Sequence, residues 1–181
     1  MLVSGLLSWA IAEYLEDAYP MPTLFGGTGG RAHAQFVNAW ADSILVPAIA
    51  RLIVRDILDV LAPADVAYFR ESREARFGAT LEAVQAGRED RIEAFRASLM
   101  PARMIVRRRA WLGGAAPSYA DFILAGTLMW PRCSSRFPML DPADPVAVWL
   151  DRVLDLFGGD RKSTRLNSSH GYISYAVFCL K

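Results

Sequence analysis

Cysteine is almost missing from this 181-residue chain, and so are lysine and histidine. The two cysteines, Cys133 and Cys179, are too few and too far apart for a disulfide framework or a clustered metal site, so a reducing cytoplasm is the simplest home. His33 has no cysteine or second histidine nearby, and no metal is expected. A charge excess is missing as well. Lysine and arginine number 20 against 19 aspartates and glutamates, a formal charge of +1, which argues against nucleic acid as a partner. The basic run Arg107, Arg108 and Arg109 reads in that setting as a solvated face. No membrane-spanning run is expected: the most apolar stretch, residues 44–54, holds Pro47 and Arg51 and abuts Arg55 and Asp56. The apolar opening, residues 1–11, lacks a basic leader and runs into Glu13, Glu16 and Asp17, unlike a secretory signal. Internal repeats and hairpin signals are also lacking.

The lysines that do occur, Lys162 and Lys181, both follow Gly159, and every earlier basic side chain is arginine. Composition changes abruptly at that point. Residues 160–170, DRKSTRLNSSH, and 173–181, ISYAVFCLK, resemble the translation of a sequencing adapter and its continuation, with Gly171 and Tyr172 in place of a barcode. Residues 160–181 are therefore expected to be adapter-derived and are set apart from the fold. They carry a net +3, which leaves a faintly acidic body of −2.

That body is organised by helical spacing. Residues 8–18 read as a helix, with Ile11, Tyr14, Leu15 and Ala18 at intervals of three and four and Tyr19-Pro20 as its stop. Residues 20–30, rich in proline and glycine, read as a linker. The longest pattern covers 31–61, where Phe36, Val37, Trp40, Ile44, Leu45, Ala48, Leu52 and Ile53 predict a buried helix kinked at Pro47. Pro63 opens another helix and Gly78 ends it. Residues 80–99 predict one further helix with Leu81, Val84, Ile92, Phe95 and Leu99 inward, after which Pro101 breaks or restarts the chain. An apolar run begins at Ser118 and is ended by Pro131, and Asp144-Pro145 starts a last helix with Val146, Trp149, Leu150, Val153, Leu154 and Phe157 inward. The fold class is all-α.

Two segments carry a family resemblance. SWAIAEYL at residues 8–15, with Tyr19-Pro20 and Leu24-Phe25, resembles the last helix and linker of a glutathione S-transferase thioredoxin-like domain. PSYAD at 117–121, preceded by Leu112-Gly113-Gly114, is similar to the capping box in the core helix of that family's C-terminal domain. YFRESREARFG at 68–78 resembles the branch holding bacterial β-etherases and related fungal transferases. The resemblance implies a glutathione-transferase C-terminal helical bundle at 31–159, a linker at 20–30, and at 1–19 a remnant of the thioredoxin-like domain, its last helix. It implies that the intact parent is a cytoplasmic homodimer that uses glutathione as co-substrate, to conjugate a hydrophobic electrophile or to cleave an ether. The helical half would wall the pocket for that electrophile and be inactive and association-prone alone. The alternative is a non-catalytic helical module that docks other proteins.

Individual residues follow from this. Ser8 is the one candidate for a glutathione contact, in the parent, through its hydroxyl and backbone amide at a helix N-terminus; as a plain N-cap it would serve equally. Leu7 departs from the family pattern, which has an acidic residue there. Trp40, Tyr119 and Trp130 are candidates for the hydrophobic pocket, although aromatics at such spacing also build plain core. Ser118 and Asp121 form an S-x-x-D box, a structural cap. Cys133 shows no partner that would activate its thiol. No catalytic residue is expected in this chain.

Overall fold

The computed structural model describes residues 3–156, and among them every element is helical. The elements are α1 (Val3–Ala18), α2 (Thr28–Trp40), a π-helical turn (Ala41–Leu45), α3 (Val46–Ile53), a 3-10 turn (Asp56–Asp59), α4 (Pro63–Phe77), α5 (Leu81–Gln85), α6 (Arg88–Ser98), α7 (Met100–Val106), α8 (Tyr119–Ser134) and α9 (Pro145–Leu154). The expected all-α class holds. Phe157 and the 160–181 segment lie outside the described residues.

From α2 to α3 the chain forms one long helix interrupted by the π turn, and the spacing of its buried residues explains the interruption. Val37, Ala41, Leu45 and Ile49 are all buried and follow one another at steps of four. An α-helix turns three times in fewer residues than that, about 11, so one wide turn absorbs the excess and keeps the four on one side. The Val46 N–H bonds the Ala41 carbonyl, five residues back, and Pro47, which lacks an N–H, enters the first turn of α3. The expected distortion at Pro47 thus takes the form of a π turn just ahead of it. Phe36 and Ile44 do not belong to the buried stripe: they are 68% and 48% exposed, each one residue off the inward face. By length and composition, residues 29–53 could cross a membrane, contrary to the reading of the short 44–54 run. The inward face of this helix is nevertheless covered by α8, α5 and α6, as in the central helix of a globular domain.

Three other boundaries differ from the pattern. The single helix expected over 80–99 is two, α5 and α6, because Gly87 adopts φ +67 and breaks the ladder, while Leu81, Val84, Ile92, Phe95 and Leu99 remain buried as expected. Pro131 does not end α8: its own donor is lost, but the Ser135 N–H still reaches the Pro131 carbonyl at 2.9 Å, so the helix completes another turn. α1 begins at Val3 rather than Ser8, and the linker ends at Gly27, because α2 starts at Thr28. Pro63 and Gly78 do bound α4, with Gly78 at φ +67 donating to the Glu74 carbonyl at 2.8 Å. Asp144 caps α9 by accepting the Val146 N–H at 2.8 Å.

α8 is the axis of the bundle. It packs chiefly on α2, and also on the π turn, α3 and α9. Leu45, Ile49, Leu52, Ile53, Leu124, Leu128, Val146, Trp149 and Leu154 fill the space between them.

Candidate functional site

The start of α8 gathers more chemistry than its sequence suggests. Ser118 and Asp121 form the expected capping box, with the Ser118 side chain toward the Asp121 backbone and the Ser118 N–H donating to Asp121 Oδ2 at 3.0 Å. Asp121, fully buried, also accepts the Leu112 N–H at 2.7 Å, the Gly113 N–H at 3.0 Å and the Trp149 indole N–H at 3.1 Å. These donors, three backbone N–H groups and an indole N–H, are all neutral. One side chain therefore fixes the α7–α8 loop, the start of α8 and the face of α9.

Tyr119, next in the chain, faces the other way, toward α1. Its ring lies 6.1 Å from Trp9 and 5.4 Å from Phe25, and Trp9 and Phe25 are 5.5 Å apart, so three aromatics from α1, the linker and α8 form one cluster. The Tyr119 hydroxyl donates to the Ser8 carbonyl at 3.3 Å, and the Tyr119 N–H donates to the Leu24 carbonyl at 2.9 Å. Glu16 holds the linker further by accepting from the Leu24 N–H at 2.6 Å and from the Thr23 hydroxyl, the bond that chiefly lowers the pKa of Glu16. Arg31 stands over the Phe25 ring and reaches Glu13 at 3.5 Å and Asp17 at 3.3 Å.

The other pocket candidates sit apart from that cluster. Trp130 is buried on α8 and Trp40 is half-buried at the end of α2. Tyr119 and Trp130 are eleven residues apart on one helix. That spacing puts them on the same face, separated by about 16 Å along the axis. Ser8 is exposed on the second turn of α1, so its backbone N–H belongs to the helical ladder and points at the carbonyl of Ser4. A helix-terminal anion grip needs a free amide, and Ser8 does not offer one.

Elsewhere, Arg103 and Asp144 form a buried pair between α7 and the cap of α9, with Nη2 at 2.7 Å and Nε at 3.2 Å from the carboxylate. Burial raises the Asp144 pKa, but the Arg103 and Val146 bonds outweigh it and hold the group below the usual carboxylate range. Asp56 takes Arg88 at 2.6 Å, Gln85 at 2.7 Å and the Ser135 hydroxyl, joining the 3-10 turn to α6 and to the end of α8. Cys133 is pushed up by burial, with Arg132 opposing weakly, so its thiol stays protonated. Among the described residues no cluster of His, Cys, Asp or Glu could hold a metal ion. Sequence reasoning missed Trp9 and Phe25 in the aromatic cluster and Trp149 at Asp121, because these contacts bridge 16 to 110 positions and leave no local pattern.

These elements define an all-helical bundle built on a capped central helix, with a preceding helix clasped to that helix's first residue. A family model described as glutathione S-transferase, C-terminal domain, matches residues 32–136, and the chain belongs to that family. Among solved structures, it is similar to glutathione transferase GSTFuA2 from Phanerochaete chrysosporium at 27% identity and TM-score 0.61, covering 94% of this chain and 62% of that one. For GSTFuA3 of the same fungus the values are 24%, 0.60, 93% and 62%. For a glutathione S-transferase from Rhodospirillum rubrum F11 they are 22%, 0.54, 93% and 70%, and these two likenesses speak to the fold. The chain thus spans about 62% of the length of the two fungal transferases.

Proposed function

We propose that this chain is the hydrophobic-substrate half of a glutathione transferase-like enzyme whose thiol-activating half is a thioredoxin-like domain. The observation that carries the reading is α1. One side of this helix is clasped to α8 through Trp9, Phe25 and Tyr119, while Ile11, Tyr14 and Leu15 are turned outward at 51%, 67% and 42% exposure. A helix apolar on both sides is built to lie between two packed layers, and this chain supplies one. On this reading residues 1–19 belong to the missing layer's domain and 31–159 to the helical one.

Glutathione, when bound to the intact enzyme, supplies the thiol nucleophile. A free thiol near pKa 8.5 is mostly protonated at neutral pH, and on this reading its activation falls to the other domain. This chain's part is to exclude water and orient an apolar electrophile along α8, between Tyr119 and Trp130 with Trp40 at its flank. Conjugation or glutathione-dependent ether cleavage both fit that wall, in a cytoplasmic homodimer.

Calorimetric titration of the chain with glutathione, together with light scattering, tests the reading. The expected result is no heat of binding at millimolar glutathione and association of the chain through its exposed apolar face. A clean monomer that binds glutathione at millimolar or tighter would overturn it.

A further inference from the structure

A guanidinium stays charged throughout the physiological range and carries five N–H donors, so it is buried at great cost unless an anion meets it. Among the described residues two arginines are buried, Arg73 and Arg103, at 7% and 8% exposure. Arg103 is met by Asp144 in a two-point bond and by the Arg96 carbonyl at 2.9 Å. Arg73, in the middle of α4, has no such arrangement. Among the described residues it forms no ion pair. Its Nη1 donates to Ser72 Oγ at 3.3 Å, its Nε is sealed from solvent without an acceptor, and its guanidinium carbon stands 5.0 Å from the centroid of the Phe69 ring. The charge that acts on it most is a like charge, Arg76, one turn along the same side of the helix. Burial and that neighbour both work against its charged form.

We propose that Arg73 is the floor of a binding site for an oxyanion, a carboxylate or phosphate group on a small molecule, which supplies the counter-charge that no described residue provides. The bond from Nη1 to Ser72 fixes the plane of the guanidinium and leaves the Nε–Nη2 edge, the edge that grips a carboxylate or phosphate at two points. Phe69 forms an aromatic wall against the guanidinium, and Arg76, one turn along, adds positive potential nearby. Neither an apolar electrophile nor the glutathione thiol calls for such a residue, so the site stands independently of the function proposed above. Seating an anion requires a small outward shift of the Arg73 tip, since Nε is closed to solvent, and the anion's own attraction drives that shift.

The test is thermal unfolding of the full chain in sodium benzoate, sodium phosphate and sodium chloride at matched pH and ionic strength. Benzoate or phosphate is expected to raise the midpoint saturably, by about 4 °C or more beyond chloride, and whichever of them does so names the ligand class. Arg73→Met is expected to abolish that response while unfolding at or above the wild-type midpoint, because an apolar side chain of similar length relieves an uncompensated buried charge. An oxyanion response no larger than that of chloride overturns the proposal, and so does a Met variant that keeps the response. If Arg73→Met does not fold, Arg73→Lys decides: lysine keeps the charge but lacks the fork, so apparent affinity weakened tenfold or more supports the site and unchanged affinity refutes it.

Discussion

Replacing Asp121 with alanine should be among the most damaging single changes available to this chain, far beyond the loss of a helix cap. Four N–H donors converge on its carboxylate at 2.7 to 3.1 Å, from Leu112, Gly113, Ser118 and Trp149, and the residue is fully buried. A buried donor left without an acceptor costs about 1–3 kcal/mol. Water entering the vacated volume would re-satisfy some of the four, so the expected loss is about 4 kcal/mol, against a net stability of about 5–15 kcal/mol for a typical domain. For a domain near this size that is a fall in unfolding midpoint of about 8–16 °C. Asp121→Asn should cost somewhat less, about 3 kcal/mol, since one carbonyl oxygen remains while its NH2 group faces other donors. Urea unfolding followed by helical circular dichroism gives the free energies, and near-ultraviolet dichroism reports whether Trp149 has lost its fixed setting. If Asp121→Ala costs no more than about 1 kcal/mol, the ordinary loss for a cap, the carboxylate does not tie α9 to the α7–α8 loop and the reasoning fails.

Three further outcomes are expected. Ser118→Ala, which removes the hydroxyl half of the box alone, should cost about 1 kcal/mol in the same urea assay, and a change within error would mean the hydroxyl does not cap α8. Asp144 has a lowered folded-state pKa, so its stabilisation is complete above the unfolded carboxylate value of about 3.9 and is lost as pH falls through the lower folded value. Unfolding midpoints measured down through that window should drop less steeply for Asp144→Asn than for the wild type, and parallel slopes would refute the linkage. Ending the chain at Gly159 should leave the midpoint unchanged, if 160–181 is adapter-derived as its composition suggests; a fall of about 4 °C or more would count against that origin.

What the linear sequence made legible was local. Gly78 and Pro63 bound α4 and Asp144-Pro145 starts α9, because a positive φ, a fixed φ and a side-chain acceptor act within a few residues of themselves. Ser118 and Asp121 announced the start of α8 for the same reason. Gly87 was not legible, since its neighbours keep the helical period on both sides of the break and nothing in the period marks a positive φ. Phe36 and Ile44 were misplaced because each adjoins a buried residue, and the π turn that sets the true stripe depends on packing against α8.

The same division holds for the candidate site. The sequence by itself determined the all-α class and the box that caps the central helix, because helix propensity, capping and apolar spacing are short-range properties of the chain, and the resemblance of its segments 8–15 and 117–121 pointed to the family. Tertiary structure alone decided that Asp121 also binds Trp149, that Tyr119 packs against Trp9 and Phe25, that Ser8 lies within a helix rather than at its tip, and that Arg73 is buried with no ion-pair partner among the described residues. Each of these depends on which faces meet when distant segments pack, and that choice is made by the burial of the whole core, which no window of neighbouring residues contains.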